Sequence, residues 1–85
     1  SWASLSALLP ADEDGNIIVG HHLGLDTRDT LVFSLASERL IATIGLEGMI
    51  IVETDDAVLI CPKEREQEVR EIVRLLEAKQ EQNYL

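Results

Sequence analysis

Aromatic residues are nearly missing from this chain: of its 85 residues, only 4% are Phe, Trp or Tyr. A core must therefore be built from Ile, Leu and Val, which the hydrophobic content of 46% supplies. Basic residues are also scarce, seven against sixteen acidic ones, for a formal net charge of −9. Nucleic acid and anionic membrane surfaces bind through clustered Lys and Arg, so neither is an expected partner. Cysteine occurs once, at Cys61, which excludes an internal disulfide and agrees with a reducing cytoplasm. No apolar run approaches the ~18 residues of a membrane-spanning helix, and no basic-then-apolar leader opens the chain. An opening Ser1-Trp2 without Met reads as a piece of something longer. A domain this small buries only about two-thirds of its unfolded surface, so packing borrowed from a neighbour is expected.

Short apolar, β-branched segments punctuated by Gly and Asp fill the middle of the chain. Ile17–Val19, Leu23–Asp26, Leu31–Leu35, Leu40–Ile44, Met49–Glu53 and Ala57–Ile60 read as strands separated by tight turns. Ahead of them, Trp2, Leu5, Leu8 and Leu9 lie at helical spacing until Pro10 and Asp12-Glu13-Asp14-Gly15-Asn16 end the pattern. The connectors are too short for helical crossovers, which excludes a doubly wound α/β sheet. A meander, a small barrel or a solenoid of short parallel coils remains, and no clean six-residue repeat selects among them. Gly45 falls where one strand gives way to the next, a place for a backbone conformation costly to any residue with a Cβ.

From Lys63 the period changes to 3.6. Val69, Ile72, Val73 and Leu76 form one apolar stripe, with Leu75 beside it. Pro62 sits just ahead, where its fixed φ costs a helix little. The stripe needs cover, from the strands' own face or from another subunit, and the strands are the expected partner. The fold class is therefore mainly β with a carboxy-terminal α-helix.

Sharper chemical readings fail on spacing. In Asp12-Glu13-Asp14-Gly15-Asn16 a calcium loop would need Glu at its twelfth position, which is Leu23. His21 and His22 are neighbours, so on a strand they face opposite sides and do not chelate one metal. Cys61 has no adjacent base and follows an apolar strand, the setting of a structural thiol. Asp55-Asp56 have turn composition. Gly20, Gly24, Gly45 and Gly48 lack the spacing of a phosphate-binding loop.

The word order adds a resemblance. Leu40-Ile41-Ala42 through Gly45-Leu46, Ile50-Ile51-Val52, Thr54, Asp56-Ala57 and Leu59-Ile60 resemble the carboxy-terminal part of bacterial mannose-1-phosphate guanylyltransferases. Gly15-Asn16, Gly20 and Asp26-Thr27 are similar to that family's G-N-x-x-x-G-x-x-x-x-x-D-T pattern, and Lys63, Arg65, Gln67 and Val69 to its K-x-R-x-Q-x-V helix entry. Ser1-Trp2 and Leu5 resemble the close of its nucleotidyltransferase domain. His21-His22 and Asp55 depart from the pattern, which bears on local turn shape. The resemblance implies a short left-handed β-helix-like domain over residues 10–62. Residues 1–9 would end the catalytic domain, and 63–85 would form the closing helix and tail. It implies an enzyme that makes GDP-mannose from GTP and mannose 1-phosphate with Mg²⁺, all held by a catalytic domain absent here, and a tail used in homodimer contact. On that reading the chain itself carries no catalytic residue, metal ligand or cofactor. Asp26, Thr27, Gly45 and the Val69-Ile72-Val73-Leu76 stripe are structural, and Trp2 packs at the periphery of the substrate site. Without the resemblance, a free-standing β-rich interaction module would fit the same residues.

Overall fold

The computed structural model describes residues 4, 6–35 and 38–84. Six short strands follow one another: β1 (Ile17–Val19), β2 (His21–Leu25), β3 (Leu31–Ser34), β4 (Leu40–Ile44), β5 (Met49–Glu53) and β6 (Val58–Pro62). The chain then makes a 3-10 helix over Lys63–Glu68 and one α-helix, α1 (Val69–Tyr84). Strands β1, β3 and β5 stack in parallel, as do β2 and β4, and Arg28 bridges Glu47 in parallel on a third side. Parallel pairing of alternate strands excludes the meander, because a meander pairs sequence neighbours antiparallel. The chain is a short β-helix, each coil laid on the one before, closed by a hairpin in which β6 turns back against β5.

A hidden repeat sets the coils. His21 pairs with Leu40, Arg28 with Glu47 and Leu31 with Ile50, always 19 positions on. The corners obey the same offset: Asp26 and Gly45 both have positive φ (52° and 69°), as do Asp29 and Gly48 (48° and 65°). Gly20 turns the first coil at φ 107°, where a Cβ would stand 2.6 Å from that of Ser34, so only glycine fits.

Strand β3 lies between β1 and β5 and is buried on both faces. Ile17, Leu31, Phe33 and Ile50 make one compact cluster, against which Leu9, Val19, Val52 and Cys61 pack. The opposite face carries Val32 and Ile51, then Ser34 and Glu53. Of the expected amino-terminal helix, Ser4 and Ser6 are helical and Leu9 reaches the core, while Leu8 is exposed. Trp2 and Leu5 lie outside the described residues.

Three expected boundaries need correction. The second strand starts at His21 rather than Leu23 and ends before Asp26, whose positive φ cannot continue a strand. The last strand runs to Pro62, so Pro62 closes β6 instead of merely preceding the helix. The helix does not begin as α at Lys63: no side chain caps its start, the first six residues wind as 3-10, and Arg65 breaks the run at φ −112° and ψ 15°. At the far end of the 3-10 run Val69 N–H donates to the Glu66 carbonyl, and the chain passes there into α1. The expected cover of the stripe is corrected as well, since Ile72, Val73 and Leu76 are 45–53% exposed and the strands do not bury it.

Candidate functional site

Among the described residues, buried polar side chains come in three small sets, all satisfied. Asn16, just before β1, donates from Nδ2 to the Thr27 carbonyl at 2.8 Å and accepts the Thr30 amide at 2.9 Å. It pins the strand entry to the opposite side of its own coil. Thr27 and Thr43 occupy successive coils and share a 2.6 Å hydroxyl hydrogen bond, and His22 Nε2 joins Thr43 Oγ1 at 2.9 Å. Glu53, only 2% exposed, accepts from Ser34 Oγ at 2.6 Å and pairs with Arg39 at 3.2 Å. The first set closes its own coil and the other two join one coil to the next, which is a bracing role.

An open cleft of about 490 Å³ with polar walls is lined by Asp12, Asp14, Asn16, His22, Asp26 and Arg28, among others. Asp12 is already committed there, its Oδ1 accepting the amides of Asp14 and Asn16 as in a tight turn. Among the described residues, no group of three His, Cys, Asp or Glu side chains is placed to hold a metal ion. His21 points outward and His22 inward, as their strand parity requires. Asp55 and Asp56 sit in the exposed β5–β6 turn, where Thr54 N–H donates to the Ala57 carbonyl. Burial, with the Glu66 carboxylate nearby, pushes the Cys61 thiol above its ordinary value, away from the thiolate a nucleophile needs. At the helix entry, Lys63 reaches Asp29 at 2.7 Å, and Arg65 bonds twice to Glu68, raising the one pKa and lowering the other.

The sequence-predicted structural residues divide into two groups. Gly45 and Asp26 occupy equivalent corners, and Thr27 is buried between coils. Val69, Ile72, Val73 and Leu76 stand apart on α1. Sequence reasoning missed Asn16 and Glu53 as braces. Glu53 was recoverable: it continues the alternation of Ile51 on a strand buried on both faces, so its carboxylate needs partners.

Several large apolar side chains are exposed among the charged ones. On the outer face of the β2–β4 sheet, Leu23, Leu25, Leu40 and Ile44 alternate outward, Leu23 at 67% and Ile44 at 74% exposure. Beyond the free edge of β4, a hollow of about 470 Å³ is lined by Leu40, Ala42, Ile44, Val58 and Ile60, with Arg39 and Glu53 also in its wall. Isolated exposed aliphatics are ordinary, but contiguous ones mark surfaces made to be covered. No helix among the described residues is long and apolar enough to cross a membrane.

Stacked parallel coils, corner glycines and a carboxy-terminal helix define a β-helix domain whose buried polar residues brace its coils. Residues 20–76 match the model of the MannoseP isomerase/GMP-like β-helix domain, and the chain belongs to that family. It is 44% identical over 73 residues to the xanthan biosynthesis protein XanB of Xanthomonas campestris pv. campestris, covering 86% of this chain and 15% of the relative. It is 37% identical over 84 residues to the mannose-1-phosphate guanylyltransferase of Klebsiella pneumoniae, covering 99% of this chain and 17% of the relative. A crystal structure described as mannose-1-phosphate geranyltransferase from Thermus thermophilus superposes with a TM-score of 0.75 at 34% identity, over 89% of this chain and 23% of that one. The chain thus spans only 15 to 18% of the length of the curated relatives it matches.

Proposed function

We propose that this chain is the carboxy-terminal domain of a cytoplasmic nucleotidyltransferase that joins GTP and mannose 1-phosphate, releasing pyrophosphate and GDP-mannose. One observation carries the reading: a mannose-1-phosphate guanylyltransferase matches 99% of this chain, yet the chain makes up only 17% of it. GTP, mannose 1-phosphate and Mg²⁺ belong to a catalytic domain ahead of residue 10. Guanylyl transfer runs on a positioned metal and cationic clamps. On this reading no chemical step falls to the described residues. The domain instead supports the catalytic domain through its uncovered apolar surface and contributes to pairing of subunits as a twofold dimer.

Two titrations test this. The chain alone, titrated calorimetrically with GTP and Mg²⁺, is expected to bind neither measurably and to form no GDP-mannose. A protein that includes the upstream coding sequence is expected to do both. That upstream sequence is expected to contain a glycine-rich, basic nucleotide loop of the form G-G-x-G-[TS]-R-[LF]-x-P-L. Micromolar GTP binding by the chain alone, or an upstream region without the loop, overturns the reading.

A further inference from the structure

The sheet built from β2 and β4 stops one coil early. Strands β1, β3 and β5 stack three deep, whereas among the described residues β4 pairs with β2 on one side and with no strand on the other. The 19-residue offset says which residues would come next. One step beyond Leu40–Ile44 lie residues 59–63, and Leu40-Ile41 recur there as Leu59-Ile60. These residues turn back instead and pair antiparallel with β5, Ile60 opposite Ile51 and Cys61 opposite Ile50. Pro62 opposes the other course. Laid on β4 it would stand over Thr43, with no amide for the ladder and no hydroxyl to continue the Thr27–Thr43 series. A seat for one strand is left open above β4, in the hollow walled by Ile41, Ile51, Val58 and Ile60.

The two sheets end in four strand edges among the described residues, and three of these carry a device that keeps other chains away. Strand β1 is only three residues long and follows an acidic turn. Strand β2 contains Gly24 and borders the cleft of Asp12, Asp14 and Asp26. Strand β6 ends at Pro62, with the 3-10 helix packed beside it. Strand β4 has no such device: Leu40-Ile41-Ala42-Thr43-Ile44 contains no charge, proline or glycine. Around its edge Leu40, Ile44, Val58 and Ile60 are each more than half exposed. Arg39 and Glu53, in the wall of the seat, pair with each other at 3.2 Å. A row of main-chain N–H and C=O groups is satisfied by water or by another extended chain, and an apolar rim favours the chain. Five residues of backbone pairing hold a free peptide weakly, but a tether raises its effective concentration to about the millimolar range. A tethered chain is at hand in the relatives, of whose length this chain spans only 15 to 18%.

We propose that the edge of β4 receives a strand from the remainder of the parent polypeptide, which completes the β2–β4 sheet as its third member. The inference rests on the parent enzyme proposed above and assigns one contact within it. Amide hydrogen exchange, resolved residue by residue by mass spectrometry, compares the chain alone with the full-length parent protein. Alternate amides of an edge strand point away from its neighbour, so in the chain alone one alternate set within Leu40–Ile44 is expected to exchange fast. In the full-length protein that set is expected to slow by about a hundredfold, while the unpaired amides of β2 stay fast. Ile60→Lys places a charge in the seat. It is expected to leave the chain alone folded by circular dichroism and to restore fast exchange at β4 in the full-length protein. GDP-mannose formation by the same full-length protein is scored separately. Fast exchange at β4 with that activity present overturns the inference alone, and fast exchange with the activity absent overturns the enzyme reading as well. Slowing at β2 and β4 alike reports cover of the whole face and overturns the strand, as does slowing that Ile60→Lys does not relieve. Slowing in the chain alone that grows with its concentration assigns the edge to a second copy and overturns it too.

Discussion

Replacing Gly45 isolates the energetic cost of a single coil corner. Its φ of 69° lies in the left-handed region, and its amide donates to the Leu25 carbonyl at 2.8 Å, tying one coil to the previous one. A Cβ built at this position meets no atom within 4 Å. A substitution therefore creates no clash, and its cost is that of the backbone conformation alone. For a residue with a Cβ that is about 1–2 kcal/mol, and somewhat more for a β-branched one, up to about 3 kcal/mol. In a domain of this size each kcal/mol lowers the melting temperature by about 4–8 °C, so Gly45→Val is expected to lower it by about 5–20 °C. The equivalent corner of the neighbouring coil supplies an internal control, because Asp26 holds φ 52° there. Gly45→Asn, whose short polar side chain tolerates this conformation, is expected to cost under about 1 kcal/mol. Thermal unfolding followed by circular dichroism, with urea titration for the free energies, measures both. Equal effects of Val and Asn, whether both small or both large, would refute the conformational account.

Other perturbations separate the braces from one another. Glu53→Gln keeps an acceptor for Ser34 and loses the charge facing Arg39, at an expected cost of about 1 kcal/mol. Glu53→Ala also opens a cavity and strands the Ser34 hydroxyl, so about 2–4 kcal/mol is expected in urea titration; equal costs for the two would mean the carboxylate does not hold the coils together. Thr43→Val deprives both Thr27 and His22 of a hydrogen-bond partner and is expected to cost about 1–2 kcal/mol, against nearly nothing for the exposed Thr54→Val. Because the Cys61 thiol titrates above its ordinary value when folded, the unfolded chain ionises first as pH rises. Stability should thus fall through the ordinary thiol range and level off above the folded value. Alkylation in mildly alkaline buffer should accordingly run slower folded than in urea, and an equal or faster folded rate would contradict the assignment.

Strand positions were readable because β-branched runs between Gly and Asp leave few alternatives. Pairing was not, and the coil repeat explains why. The 19-residue offset joins positions whose residues differ: Asp26 with Gly45, Asp29 with Gly48, Thr30 with Met49. What repeats is backbone conformation, and glycine and aspartate are two answers to one positive φ. A search for recurring letters passes over such a repeat, and a six-residue search has the wrong period. The helix illustrates a different limit. Its periodicity correctly located Val69, Ile72, Val73 and Leu76 on one face, but periodicity says which residues share a face and nothing about what covers it. Asn16 was visible only as part of a word resemblance, since a lone polar residue before a strand looks like any turn.

Two apolar surfaces stay uncovered among the described residues, and neither carries a charge order that names a partner. The outer β2–β4 face presents Leu23, Leu25, Leu40, Ala42 and Ile44, with His21 at one end and Arg39 beside the hollow that adjoins it. Such a face attracts apolar surface strongly but fixes register and direction weakly, because little along it penalises a slip. It suits a neighbour whose position is already set by covalent connection, such as a preceding domain of the same polypeptide. On α1, Glu71 and Arg74 lie on the side away from Val69, Ile72, Val73 and Leu76 and bond each other at 3.3 Å. The stripe therefore offers a neighbour apolar area rather than a charge pattern.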